Sequence, residues 1–344
     1  MTWDIRQQLD AFSRSPGQWS LGAARRYCRW VANTHYENFS VASLFLPRRL
    51  LPHFHAVYAY CRWADDLADE TGPDAPRLLG WWRESLLACY AVETLASGAS
   101  ERPGGPLEST TGAFTRPARP QTGAAFGPAR LPPSHPVFVA LRPTIQRFSI
   151  PSQPFLDLLS AFEQDQYVKE YDNYTQLRDY CRRSADPVGR LVLYLFECHD
   201  SQNATRSDSI CTALQEANFW QDVARDRAVG RVYLPREDRE RFGVSDDNLT
   251  SGQVTPAFRE LLRFEVARTR LGFDAGEPLV SRVPDEFRPE LELFIAGGRA
   301  ILDRIASCSY DVLTARPALS KVEKAKLVLA ALGRKAARMM GIHS

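Results

Sequence analysis

Residues 56–70, AVYAYCRWADDLADE, and residues 213–235, ALQEANFWQDVARDRAVGRVYLP, carry the pattern on which the fold and chemistry of this chain turn. On a helix, which advances about 100° per residue, Tyr58, Arg62, Asp65 and Asp69 fall on one stripe about 60° wide. Asp66 and Glu70 lie at its flank. That is more like charge than a helix stabilises without counter-ions, so a cation is expected there. In the second stretch Gln215, Asn218, Asp222 and Asp226 are spaced 3, 4 and 4 and again share a face. Carboxylates four residues apart are hard oxygen donors that suit Mg²⁺, which completes its shell with water and phosphate. Two such helices face to face would clamp a diphosphate whose charge the metal neutralises as a C–O bond breaks. Either motif alone also reads as a solvated acidic face. The pair, each set among bulky residues (Tyr60; Phe219, Trp220), points instead to bundle helices whose acids line a cavity.

Apolar residues recur at three- and four-residue spacing along most of the chain, and period-2 alternation is scarce. The pattern is all-α, with helices expected over 20–38, 48–70, 75–97, 136–148, 152–168, 175–199, 207–229, 256–281, 286–314 and 319–340. Ser20, Thr175 and Ser320 are candidate N-caps, and Pro47, Pro151 and Pro256 candidate helix starts. Residues 97–136 break the pattern with eight of the 23 prolines and six of the 20 glycines. Such a segment buries too little apolar surface to offset its ordering entropy, so it reads as a flexible surface insertion. Helical patterning resumes at HPVFVAL, which favours a single domain over 1–344.

A formal charge of +2 excludes wholesale nucleic-acid binding. Seven scattered cysteines without a C-x-x-C pair suggest reduced thiols and a cytoplasmic protein. The N-terminus lacks the apolar core of a secretory signal, so the mature chain is expected to begin near Met1. No apolar run approaches the roughly 18 residues of a membrane span. From Lys321 onward six Lys/Arg face one acid. That stretch reads first as a terminal amphipathic helix and second as a peripheral contact with anionic lipid.

With THYENFSVASLFLPRRL, DYCRRSADPVG, GRVYLP and EKAKL added to the two acidic stretches, the chain resembles the squalene/phytoene synthase family over nearly its whole length. The resemblance implies an isoprenoid-synthase-type helical bundle with a central cavity. It further implies a prenyl diphosphate substrate and Mg²⁺ held through Asp65, Asp69, Asp222 and Asp226. It puts His35 and Arg62 near the diphosphate, Tyr58 and Tyr180 at the cavity, and Gln215 and Asn218 beside the second metal cluster. Arg231 and Tyr233 of GRVYLP would close over the metals. Read without the resemblance, His35 is a polar helix residue, Tyr180 a core aromatic, and GRVYLP a loop packed on the bundle.

Within that family, HYENF, CRRSADPVGRLVLYLF and NFWQDVARDRAVGRVYLP are most similar to the hopanoid-pathway branch that turns presqualene diphosphate into hydroxysqualene without NADPH. Asp186-Pro187 stands where small residues are common, and Gly298 where condensing members carry Tyr. Both departures favour an enzyme of one half-reaction. Glu37, or His35 beside it, is a candidate to position or deprotonate the water that ends the reaction. Alternatives are a condensing squalene, presqualene diphosphate or phytoene synthase, and a non-catalytic scaffold of the same fold.

Overall fold

The computed structural model describes residues 3–14, 18–34, 46–97 and 135–339. The interior of the predicted insertion at 97–136 lies outside them, as do His35 and Glu37. Fourteen α-helices are present among the described residues: α1 Ile5–Arg14, α2 Leu21–Thr34, α3 Leu51–Glu70, α4 Ala75–Ser97, α5 Pro136–Phe148, α6 Gln153–Gln164, α7 Tyr174–Ser184, α8 Asp186–Leu195, α9 Ser201–Ala228, α10 Arg236–Arg241, α11 Asp246–Ser251, α12 Pro256–Gly276, α13 Arg288–Ser307 and α14 Lys321–Met339. There is no strand among them, only an isolated parallel bridge between Glu170 and Val232. The all-α expectation holds.

Local chemistry sets the helix limits. Asp200 caps α9 by accepting from the Asn203 amide at 2.7 Å, and Ser20 accepts from Ala23 N ahead of α2. Ser320 and Glu323 exchange side chain and amide at the start of α14. One cap assignment and three helix boundaries need correction. Asn173, not Thr175, caps α7, because its side chain reaches the Gln176 amide at 3.0 Å. The helix expected over 175–199 is two helices, broken at Ala185. Proline at 187 has no amide to continue the ladder, and it restarts a helix as a first-turn residue. Pro52 and Pro154, rather than Pro47 and Pro151, stand in the first turns of α3 and α6.

One buried cluster runs from Ile5 to Val312, with Trp63, Trp82, Trp220, Tyr60 and Phe155 among its largest wholly buried side chains. Close helix approach depends on two glycines. A Cβ at Gly276 of α12 would lie 2.8 Å from the Arg206 carbonyl and 2.4 Å from Ile210 Cγ1 on α9. One at Gly189 of α8 would lie 2.3 Å from Ser207 Oγ. In this way α9 is gripped on both sides. Trp220 donates to Thr269, which donates to Glu216, and Tyr174 donates to Glu216 at 2.7 Å. The polar faces of so long a central helix are thereby satisfied. All seven cysteines are free, as expected. Among the described residues no helix is long and apolar enough to cross a membrane.

Candidate active site

The acids of α3 come to the site unequally. Arg62 Nη1 reaches Asp65 at 3.4 Å but is held more closely by Asp66, through Nε at 3.0 Å and a second, shorter contact. Asp66, expected at the flank, is 1% exposed and also accepts from Trp3 Nε1 at 2.7 Å. It is thus an anchor that fixes Arg62, and Asp65 and Asp69 are left facing outward. Burial pushes Asp65 up to about 6; Arg62 opposes that rise, while Asp69 and Glu70 add to it. Burial raises Tyr58 to about 12, so its hydroxyl stays protonated beside them.

On α9, burial and the neighbouring Asp222 charge lift Asp226 to about 6. Gln215 is partly buried and Asn218 exposed on the same side. After α9 the chain turns at Gly230, whose φ of 78° suits glycine alone. It then returns beside residues 169–171, Val232 N donating to Lys169 O and Arg236 N to Tyr171 O. That return aims Arg231 across to α3, where it meets Asp69 Oδ1 at 3.2 Å. The Arg231 charge is felt by Asp65, Asp165 and Asp226 as well. One guanidinium therefore stands among carboxylates from both motif helices.

Behind Arg231 lies an aromatic wall. Tyr233 stacks on Phe219 with centroids 3.8 Å apart, and Tyr180 and Tyr171 lie 6.1 Å and 6.0 Å from Tyr233. Tyr180 donates to Asp165 Oδ2 at 2.9 Å. Burial and the nearby Tyr233 and Asp165 raise its hydroxyl far above the ordinary range. Asp165 itself is lifted by burial to about 6. Beyond α9, Arg316 grips Asp222 with two bonds of 2.6 and 2.8 Å and also holds Gln221.

Asp66, Asp165, Trp3 and Arg316 were not singled out in the sequence. Asp66 alone carried a signal, as a flanking member of the acidic run. The other three come from distant segments and are joined only by the fold. Asp186, in contrast, is 1% exposed and hydrogen-bonded to Thr212. It packs α8 on α9. A Cβ at Gly298 would sit 2.3 Å from Phe273 Cζ and 2.9 Å from Leu214 Cδ2, so the glycine permits that packing.

The donor chemistry of the two motifs fits Mg²⁺: carboxylates in like-charge pairs on two helices, drawn to arginines. Among the described residues no three carboxylate, histidine or cysteine groups converge closely enough to hold an ion by themselves. That spacing is compatible with an ion that takes one or two protein carboxylates and completes its shell with phosphate and water, as Mg²⁺ does.

Beside this face a cleft of about 300 Å³ opens between α9, α13 and α14, lined by Leu214, Asn218, Glu290, Phe294, Ile301 and Leu327 among others. It is mostly apolar.

Comparison with known proteins fits this arrangement. Hydroxysqualene synthase of Sinorhizobium fredii is 31% identical over 88% of this chain and 90% of its own length. Phytoene synthase 1 of Arabidopsis thaliana is 28% identical over 93% of this chain and 68% of its own. The crystal structure of squalene synthase HpnC from Alicyclobacillus acidocaldarius superimposes with a TM-score of 0.71, at 37% identity, covering 89% of this chain and 99% of that one. A dehydrosqualene synthase structure, at 21% identity, shares the fold with the same TM-score over 97% of this chain and all of its own. The sequence model of squalene/phytoene synthase matches residues 32–323, and the chain belongs to that family of head-to-head prenyl diphosphate synthases, which bind isoprenoid diphosphates.

Proposed function

We propose that the chain is a Mg²⁺-dependent enzyme that converts presqualene diphosphate to hydroxysqualene and releases diphosphate. The observation that carries the ionisation chemistry is Arg231 standing between Asp69 of α3 and the acids of α9. It is a cation site built from both motifs. The choice of product is supported by the 31% identity to a hydroxysqualene synthase.

In this reading Asp65, Asp69, Asp222 and Asp226 hold the metal, which when bound neutralises the departing diphosphate. Arg62 and Arg231 donate to phosphate oxygens in the charge-assisted geometry that guanidinium favours. Gln215 and Asn218 serve the polar end of the site, and the resemblance assigns His35, outside the described residues, to the diphosphate. As the C–O bond breaks, its electron pair leaves with diphosphate, and a carbocation remains on the hydrocarbon. The Tyr233–Phe219–Tyr180 wall presents π faces that stabilise that charge, and Tyr58 is assigned the same role from α3. The cation rearranges and captures water. Glu37 is a further acid for that last step; Glu37→Gln is expected to divert product from alcohol to alkene, and an unchanged product ratio and rate would remove it.

The test is incubation with presqualene diphosphate and Mg²⁺, followed by product identification by mass. A second reading, condensation of two prenyl diphosphates, draws on the 37% identity to a squalene synthase. Farnesyl or geranylgeranyl diphosphate as sole substrate distinguishes it. Release of diphosphate from none of the three would favour a non-catalytic scaffold, against which the intact acids of both motifs stand.

A further inference from the structure

Glu290 lies in the first turn of α13, 3% exposed, at the apolar cleft between α9, α13 and α14. Its Oε2 is shut off from solvent and has no hydrogen-bond partner among the described residues. Burial alone lifts its carboxyl to about 8, with no cation to compensate. Such a group is destabilising, and packing alone would favour leucine or glutamine in its place. Local rules are broken in this way chiefly at functional sites. Two other polar side chains reach the same cleft, Asn218 from α9 and Lys324 from α14. Neither side chain has a hydrogen-bond or ion-pair partner among the described residues. Three polar residues thus line an otherwise apolar cleft with room for ordered water.

We propose that Glu290 holds the water that captures the carbocation and accepts its proton. This rests on the hydroxysqualene reading above. A lone pair of the water oxygen forms the C–O bond to the cationic carbon. One O–H bond then breaks, its electron pair staying on oxygen and its proton passing to the Glu290 carboxylate. Cation and carboxylate become neutral alcohol and carboxylic acid, and the acid later returns the proton to solvent. At about 8 the group is mostly protonated at neutral pH, and the fraction present as carboxylate is a stronger base than a solvated glutamate, so alcohol formation should rise with pH toward that value. Lys324 lies on the same cleft as a further polar neighbour. Leu214, Phe294 and Ile301 keep other waters from the hydrocarbon. Without the held water the cation loses a proton from a neighbouring carbon and gives an alkene.

Glu290→Gln, Glu290→Leu and Glu37→Gln, assayed beside wild type with presqualene diphosphate and Mg²⁺, test this by diphosphate release, alcohol-to-alkene ratio and thermal melting. In Glu290→Gln, diphosphate release should stay within about threefold of wild type. The alcohol-to-alkene ratio should fall about a hundredfold, the low end for loss of a general base. The melting temperature should be unchanged or higher. Glu290→Leu should show the same product change in a more stable protein, so the outcome does not depend on one variant folding. An unchanged ratio in both Glu290 variants overturns the role, as does a product change confined to Glu37→Gln. Loss of rate and melting temperature together at constant ratio marks a structural residue and overturns it too. A wild type that makes no alcohol overturns the proposed reaction itself.

Discussion

Removing Arg231 should expose the electrostatic tension of the site before any catalysis is measured. Arg231→Gln keeps a polar amide but takes away a guanidinium whose charge is felt by Asp65, Asp69, Asp165 and Asp226. Asp69, paired at 3.2 Å with its side chain 49% exposed, loses roughly 0.5 kcal/mol after solvent screening. Each of the other three carboxylates, which feel the same charge, loses about 0.5 kcal/mol at a near-aqueous dielectric. The total is about 2 kcal/mol. At roughly 2 °C per kcal/mol for a chain of this size, Tm should fall by about 4 °C in metal-free buffer of low ionic strength. Mg²⁺ with inorganic diphosphate should recover most of the loss in the variant and raise the wild type less, since the ion takes over the neutralising role. Differential scanning calorimetry with and without these ligands measures both. A variant that melts with wild type in metal-free buffer, or a deficit that Mg²⁺ and diphosphate leave untouched, would refute the reasoning.

Asp65→Asn and Asp226→Asn, measured by diphosphate release, should each lower kcat/KM at least about a hundredfold, as expected when one charge-stabilising ligand is lost. Arg316→Ala frees Asp222 from its two bonds and should change the Mg²⁺ concentration for half-maximal rate more than the KM for substrate; an unchanged metal requirement would contradict that. Gly276→Ala sets a methyl 2.8 Å from a backbone carbonyl and should destabilise by about 1–3 kcal/mol in urea unfolding, with diphosphate release per folded molecule retained. Glu265 is lifted to about 9, chiefly by burial, against the opposing charge of Arg268. Between the ordinary glutamate value and about 9 the unfolded chain releases a proton that the folded chain keeps, so this group costs stability as pH rises through that window, and Glu265→Gln should flatten the loss in melts from pH 5 to 9. On α14, Val322, Leu329 and Leu332 are exposed among basic residues, while Leu327, Val328 and Ala331 pack with Leu293. Anionic vesicles should float the intact chain and not a variant with those three exposed residues changed to Ser, and equal flotation would leave α14 a purely structural helix.

Periodicity revealed the elements because long helices repeat one pattern many times; it located α3 within three residues at each end, but started α9 six residues late, at 207 where the helix begins at Ser201. It missed α1, and it missed α10 and α11, six residues each, because two turns do not establish a period. It merged α7 and α8 because a proline in a helical first turn leaves the apolar spacing intact. At the site, residues three and four apart on one helix were legible as stripes, and so was the GRVYLP return that carries Arg231. Which acid Arg62 grips was not, since the preference for Asp66 over Asp65 depends on Trp3 arriving from the N-terminal segment. Nor was Glu290 legible: one of two glutamates in RPELELFIAGG, it looks like any helix surface residue until α9 and α14 close over it.

The most direct test of the central claim is a single incubation of the purified chain with presqualene diphosphate, with Mg²⁺ and with EDTA, followed by mass identification of the C30 product. The account predicts diphosphate release and hydroxysqualene with Mg²⁺ and neither with EDTA. Intact presqualene diphosphate under both conditions, or turnover that EDTA does not stop, would contradict it.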